Sequence, residues 1–429
     1  MNRDSIQKLA KPSILRDRLE LLPAWKDMIS AHREQLAQCA VDHVRIPVSD
    51  ALNEIDRCTW LANYLLNEIE RMLQAEVRIA PSGRQTLRAI QPMGTVLAVM
   101  PWNMPFWKIV RSTLSTWLTG NNVIVKPAGR GFECAKKLEE IFRLTGIPES
   151  EFSVQNISHD KVEDMLTYCE VDGLSFTGST PAGLKLASIA KRQGIHSILE
   201  MGGNDAYIVA ADADLETAAH TLVRERMSYA GQRCISPKRM IVERAVYPRF
   251  TEQVIAELSE MKLGIPEDPK TEIGPLPDKN RVDRMDGFVT ESVKQGAHLA
   301  YRMPTDGLPD SEPFFAPVVL TDCSETMLPQ SREFFGPIVS LFPADDLDGA
   351  IALANANSQT LGGGIFTQRA ESDLIGILTA LKSSMLAVNN VVEAIPEIPF
   401  GGRGTSGSGR ELGKTGLLAF LEERSIWLS

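Results

Sequence analysis

No window of this sequence approaches 18 uninterrupted apolar residues, so the sequence offers no membrane-spanning helix. The opening stretch "MNRDSIQKLAKPSILRDRLELLPAW" lacks an apolar core segment. It carries Asp4, Asp17 and Glu20, which argues against a secretory or transit signal. Cysteine is sparse and scattered: Cys39, Cys58, Cys134, Cys169, Cys234 and Cys323 form no C-x-x-C pair and share no short spacing. That excludes a disulfide framework and a zinc site, and it fits a reducing cytoplasm. Internal repeats and low-complexity tracts are missing as well. Positive charge is in deficit, with a net charge of -10, so nucleic acid and anionic membrane are not expected partners.

What is present is an ordinary globular composition over 429 residues, 43% hydrophobic and 23% charged, enough for two or three domains. Residues 13–74 place apolar side chains at three- and four-residue steps and read as mostly helical. "EVRIAPSGRQTLRAIQP" then reads as two strands around a Pro81-Ser82-Gly83 turn. From residue 94, apolar strands alternate with amphipathic helices: "GTVLAVM", "FWKIVRSTLSTWLTG", "NNVIVKP", "ECAKKLEEIFRLTG", "FSVQNI", "DKVEDMLTYC", "VDGLSFTG" and "TPAGLKLASIAKRQG". This alternation predicts a parallel sheet covered on both faces. A second α/β series runs from "AYIVA" to about residue 400. The end reads as a Gly-rich loop, a short helix "KTGLLAFLEE" and a strand "RSIWLS".

Some of these turns suit an anionic ligand. "SFTGSTPAG" puts Gly178 and Ser179 at a strand end, with a helix opening at once and Gly183 in its first turn. The free N–H groups and positive dipole end of such a helix suit a phosphate. Lys126 ends the strand "NVIVKP", where an open α/β sheet binds its ligand. Taken singly, each also reads as a plain strand–helix turn or a solvated lysine. Cys234, in "YAGQRCISPKR", stands among Gly, Gln, Arg and Ser. By itself it reads either as a reactive thiol or as core filler.

In chain order the motifs are "PWNMP", "VKPAG", "FTGSTPAG", "LEMGG", "GQRC", "EFFGP" and "PFGGRGTSGSGRE". This order, over roughly residues 88–413, resembles the NAD(P)-dependent aldehyde dehydrogenase superfamily. The resemblance implies an α/β fold with a Rossmann-type cofactor domain over 1–73 and 93–202, with 408–419 packing back on it. It implies a second α/β catalytic domain over 203–407, and a small β oligomerisation arm over 74–92 and 420–429. Cys234 matches the family's nucleophile, Asn103 its oxyanion donor and Glu200 its general base. Trp102, Lys126, Gly178, Ser179, Gly183, Glu333 and Phe335 match cofactor-binding positions for NAD or NADP. No metal is implied. Arg111 stands where succinate semialdehyde dehydrogenases hold the distal carboxylate of their substrate, a task that suits a planar guanidinium. The implied partners are a small aldehyde and further copies of the chain, as a homodimer or homotetramer.

The sequence also departs from the pattern. Gly129, followed by Arg130, replaces the glutamate that many NAD-preferring members carry three residues after the strand-end lysine. Losing that carboxylate removes its repulsion of a 2′-phosphate and opens the way to NADP. Asn204, Gly404 and Ser112 stand where lysines are common. Arg226 lies near, but offset from, the usual second carboxylate-binding arginine. Three readings follow. The first is oxidation of an aldehyde to an acid, with succinate semialdehyde as leading substrate and a broader aliphatic or aromatic range as its variant. The second is acyl transfer to coenzyme A, which Glu200 opposes. The third is a non-catalytic cofactor-binding relative, which the joint presence of Cys234, Glu200 and Asn103 opposes.

Overall fold

The computed structural model describes residues 14–73, 76–79 and 85–428. The Pro81-Ser82-Gly83 turn and residues 1–13 lie outside the described residues.

Three helices come first: α1 (Leu15–Ala31), α2 (Arg33–Val44) and α3 (Val48–Met72). Strands β1 (Glu76–Ile79) and β2 (Gln85–Pro92) follow. The alternating region then gives β3 (Thr95–Met100), α4 (Trp107–Leu118), β4 (Asn122–Pro127), α5 (Phe132–Leu144) and β5 (Phe152–Val154). It continues with α6 (His159–Thr167), β6 (Gly173–Thr177), α7 (Thr180–Arg192) and β7 (His196–Glu200). These strands pair in parallel in the order β7-β6-β3-β4-β5. A two-residue strand at Gly407–Ser408 adds antiparallel beside β7.

Side-chain alternation across this sheet sorts its two layers. Ala98, Val123 and Val125 join a core with α1 to α5, whereas Leu97 and Leu174 join the opposite core with α6 and α7. Burial on both faces explains why the strands read as continuous apolar runs.

The second sheet has seven strands and its own core. Its central strand is Arg239–Glu243, which pairs in parallel with its neighbour Ala206–Val209. Helix α8 (Leu215–Met227) connects them and leads into the Cys234 loop. Helices α9 (Tyr247–Glu260) and α10 (Lys279–Lys294) follow.

The final segment corrects two sequence expectations. The helix near the end spans only Gly413–Leu417, and Leu421–Leu428 is a strand along its whole length, "LEER" included. Register explains this: Leu421 to Leu428 pair antiparallel with Pro92 to Gln85, and that eight-residue ladder overrides local helix propensity. Likewise, "FSVQNI" is strand only at Phe152–Val154, the stretch that finds a partner in β4.

Helix α4 sets up the site. All twelve of its residues are buried, the polar ones included. A buried polar residue needs a partner. Thr113 and Thr116 donate to the carbonyls of Ile109 and Ser112, and Ser112 meets Ser175 at 2.5 Å. Two charged residues of α4, Lys108 and Arg111, are three apart and so share a helix face. They find their partners at the site below.

Candidate active site

Helix α8 ends at Met227, and the chain then reverses through three consecutive left-handed residues: Tyr229 (φ 55°), Ala230 (φ 52°) and Gly231 (φ 72°). Such a run in non-glycine residues needs outside support. Asp50 of α3 supplies part of it, accepting from the Tyr229 N–H at 2.9 Å while the Tyr229 hydroxyl donates to the Asp50 carbonyl at 3.0 Å.

Arg226 supplies more. Its fully buried guanidinium donates to the carbonyls of Gly231, Phe334, Gly336 and Ile338 and to the Ser236 hydroxyl, at 2.6–3.0 Å. All five of its N–H donors are used. Arg226 is therefore no substrate arginine: it staples the Cys234 loop to the segment that carries Glu333 and Phe335. Burial pushes its pKa down to about 9. Lys238 adds a second clamp, donating to the carbonyls of Arg233 (3.0 Å) and Cys234 (2.6 Å) and lying 3.3 Å from Glu333.

This scaffold sets Cys234 where two cavities meet, and Cys234 and Lys108 line both. One cavity, of about 120 Å³, is walled by Trp107, Arg111, Arg233 and Phe400. The other, of about 270 Å³, is walled by Trp102, Asn103, Gly178, Ser179, Glu200, Glu333 and Phe335. Eight of the eleven residues singled out in the sequence thus line the larger cavity or stand at its junction, and Arg111 lines the smaller.

Gly183 stands apart from the cavities. It lines neither cavity, and a Cβ there would fall 2.4 Å from the Met201 sulfur and 2.9 Å from the Phe176 ring. Its small size lets α7 lie close against β6 and β7. Lys126 stands at the carboxyl end of β4, beside Val99 of β3, and burial lowers its pKa. It is not among the residues walling the two cavities.

The lining of the larger cavity suits the phosphate and ribose groups of a dinucleotide. Ser179 caps the N-terminus of α7 by position, yet its hydroxyl makes no capping hydrogen bond, so the hydroxyl and the first-turn N–H groups remain to bind an anion. The buried Thr177 hydroxyl has no partner among the described residues. Gly202 cradles the Glu333 carboxylate so closely that a Cβ would stand 2.4 Å from it. Arg281 and Arg284 of α10 add positive charge to the wall. The sequence reading passed over them because they lie in no motif.

The charged centre is a chain of four side chains. Lys108 donates to Glu200 at 2.9 Å and to the Cys234 sulfur at 3.3 Å. Arg111 donates to Glu200 at 3.1 Å, lies 2.6 Å from Glu411, and stacks over the Phe400 ring at 4.3 Å. Burial alone would raise the Glu200 carboxyl, but Lys108 and Arg111 outweigh it and hold its pKa down to about 2. Burial, followed by the Glu200 charge, pushes the Cys234 thiol up to about 11 against the pull of Lys108 and Arg111. Asn103 donates to the Gln232 carbonyl at 2.6 Å, which leaves its amide a second hydrogen.

The sequence reading missed Lys108 and Glu411. The three-residue spacing of Lys108 from Arg111 was the signal available for the first. For Glu411 nothing short of the fold would do, since its partner is three hundred residues away.

Glu54 of α3 holds the N-terminus of α4 in place. Its carboxylate accepts from the N–H groups of Phe106 and Trp107, at 2.6 and 2.7 Å, as a cap on the helix that carries Lys108 and Arg111. Burial raises its pKa from 4.5 to about 8. A raised carboxyl pKa means the folded state binds the proton more tightly, so stability falls as pH rises from about 4.5 towards about 8. Glu54→Gln keeps an acceptor oxygen and cannot ionise. It is expected to match the parent near pH 5 and to be the more stable of the two at pH 8 in urea titrations. Equal loss of stability at both values would show that the amide cannot replace the cap.

The model of the aldehyde dehydrogenase family matches residues 5–426 of the chain. A probable NADP(+) succinate-semialdehyde dehydrogenase of Synechocystis sp. is 32% identical over 403 residues, covering 94% of this chain and 88% of its own length. The NADP(+) succinate-semialdehyde dehydrogenase of Mycobacterium leprae is 32% identical over 408 residues, covering 95% and 89%. Among solved structures, the succinic semialdehyde dehydrogenase of Streptococcus pyogenes in complex with NADP+ superposes with a TM-score of 0.92 at 28% identity, over 99% of this chain and 93% of that one. Among the described residues, no helix is long and apolar enough to cross a membrane.

Proposed function

The chain belongs to the aldehyde dehydrogenase family, and from that premise we propose that it oxidises succinate semialdehyde to succinate, with NADP preferred over NAD. The observation that carries the catalytic part is the placement of Cys234 at the junction of two cavities, one able to take a small substrate and the other a dinucleotide.

The Cys234 sulfur adds to the aldehyde carbon, and the carbonyl oxygen takes the charge beside the free amide hydrogen of Asn103. Preorganised donors of this kind are worth roughly 10²–10³ in rate. The dinucleotide, when bound, supplies the hydride acceptor that turns the adduct into a thioester. A water then adds to the thioester carbon and gives its proton to Glu200, and the C–S bond breaks to release the acid and regenerate the thiolate. Trp102, Ser179 and Glu333 would hold the dinucleotide, with Ser179 and the α7 N-terminus on phosphate and Glu333 accepting from ribose hydroxyls. Lys126 at the carboxyl end of β4 in the same sheet, with Gly129 leaving room beside it, supports tolerance of a 2′-phosphate.

Arg111 and Arg233 supply positive charge on the smaller cavity and support a substrate with a distal carboxylate. Both are already paired, with Glu411 and Glu200 in the first case and Glu225 in the second. That pairing favours the variant of the first reading, a broader range of neutral aldehydes. Steady-state kinetics with succinate semialdehyde, propanal and hexanal, each run with NADP and with NAD, decides between them. Succinate semialdehyde with NADP is expected to give a kcat/KM at least tenfold above any other combination. Equal or better values for the neutral aldehydes would replace the substrate reading, and faster turnover with NAD would replace the cofactor reading.

The antiparallel ladder of Leu421–Leu428 on β2 leaves Trp427 69% exposed. A small sheet with a bare aromatic is an edge that natural proteins cover. This supports assembly as a homodimer or homotetramer through that arm.

A further inference from the structure

One charged side chain at the centre is left without a task by this account. Lys108 is 2% exposed and has three N–H donors. One goes to Glu200 and one to the Cys234 sulfur, and Lys108 itself walls both cavities. Among the described residues it is the cation that hydrogen-bonds the sulfur, whereas Arg111 donates to Glu200 and lies 2.6 Å from Glu411.

Charge balance makes the position matter. Lys108 and Arg111 carry two positive charges against the two carboxyls Glu200 and Glu411, so the buried group is neutral while Cys234 keeps its proton. Ionising Cys234 adds a negative charge in a place burial disfavours. A Born-type penalty of that kind is met only by a cation in contact. Lysine suits this: its ammonium is a compact charge on a flexible stem, able to follow the sulfur without leaving the carboxylate. The charged groups facing this point are Glu200 from β7, Arg111 from α4 itself, Glu411 from the C-terminal segment and Glu54 from α3. Glu200 opposes ionisation of the thiol, whereas Glu54 keeps its proton up to about pH 8.

We propose that Lys108 is a further catalytic residue of this chain, the counter-ion that stabilises the Cys234 sulfur as it ionises while it keeps Glu200 within reach of the same carbon. The proposal rests on Cys234 being the nucleophile. It reads a cationic partner for that sulfur from α4, one helical turn before Ser112 on the same face.

A simpler role would make Lys108 only the salt-bridge partner of Glu200, acting on the sulfur through that carboxylate. A double-mutant comparison separates the two. The readout is the rate of iodoacetamide alkylation at Cys234 between pH 7 and 9, measured by peptide mass spectrometry. Cys169, which is exposed and lines neither cavity, serves as internal reference in the same sample. Alkylation follows the thiolate fraction, so a rise of one unit in the thiol pKa lowers the rate tenfold.

Lys108→Met is expected to slow Cys234 alkylation at least tenfold relative to Cys169, both in the parent and in a Glu200→Gln background. Lys108→Arg is expected to recover it to within about threefold. Lys108→Gln serves if the methionine variant does not fold, with NADPH fluorescence titration as the check on folding. An unchanged alkylation rate on losing Lys108 in the Glu200→Gln background would overturn the proposal. The assay needs no aldehyde turnover, so it stands apart from the substrate reading. Failure of the nucleophile reading itself would show instead as activity retained by Cys234→Ala.

Discussion

Cys234→Ala is expected to stop NAD(P)H production, with kcat falling by on the order of 10⁴–10⁶, while NADPH still titrates the protein with near-parent affinity. The separation follows from the geometry. Trp102, Ser179, Glu333 and Phe335 wall the larger cavity independently of the sulfur, which stands only at its inner end. Removing one sulfur takes no hydrogen bond from those residues. Nor does it disturb the loop, because Arg226, Lys238 and Asp50 hold main-chain groups. No other thiol can substitute. Cys58, Cys134 and Cys323 are buried, Cys39 lies against Cys134 at 3.7 Å, and Cys169 is exposed away from both cavities. Steady-state spectrophotometry at 340 nm (a property of the reduced nicotinamide) and fluorescence titration measure the two halves of the prediction. Activity near that of the parent would remove Cys234 from the reaction. Loss of NADPH binding as well would mean that the sulfur holds up the cofactor cavity.

The sequence made the parallel sheets legible because strands buried on both faces leave continuous apolar runs, as "GTVLAVM" and "AYIVA" do. It made Cys234, Glu200 and Asn103 legible because each sits in a short motif with a fixed place in the order. The supporting charges left no such mark. Lys108 is one lysine on a helix that reads as amphipathic, and only the full burial of α4 shows that it must have an internal partner. Glu411 sits in a Gly-rich loop, and its partner Arg111 comes near only when that loop folds back across the first sheet. Arg226 reads in the sequence only as an arginine offset from the usual carboxylate-binding place. Its five donors turned out to serve main-chain carbonyls and a hydroxyl. Gly183 was read as part of a phosphate loop, whereas its neighbours in space are Met201 and Phe176. In each case the motif placed the residues proposed to react, while the residues that surround them follow from packing between segments far apart in the chain.

Glu200→Gln should split the two halves of the reaction in opposite directions. In the folded protein the Glu200 charge, next after burial, pushes the Cys234 thiol up, and Lys108 counters it. Taking the charge away leaves Lys108 with the sulfur as its remaining anionic partner, while Arg111 keeps Glu411 at 2.6 Å. The thiol then ionises more readily, so alkylation of Cys234 at pH 8 is expected to accelerate, and attack on the aldehyde is not impaired. Hydrolysis of the thioester loses its proton acceptor. General-base contributions of this kind are typically 10²–10⁴ in rate. The expected record is a rapid burst of about one NAD(P)H per active site, then turnover slowed by that factor. Stopped-flow absorbance gives both phases, and intact-mass analysis of the quenched enzyme identifies the acyl group on Cys234. Added coenzyme A is a useful third arm: if it restores multiple turnovers, the cavity admits a thiol acceptor once the base is gone, and the acyl-transfer reading regains ground. A variant with no burst and slower alkylation would contradict the assignment. It would mean that Glu200 is needed to take the proton from Cys234, and that the carboxylate serves the nucleophile before it serves the water.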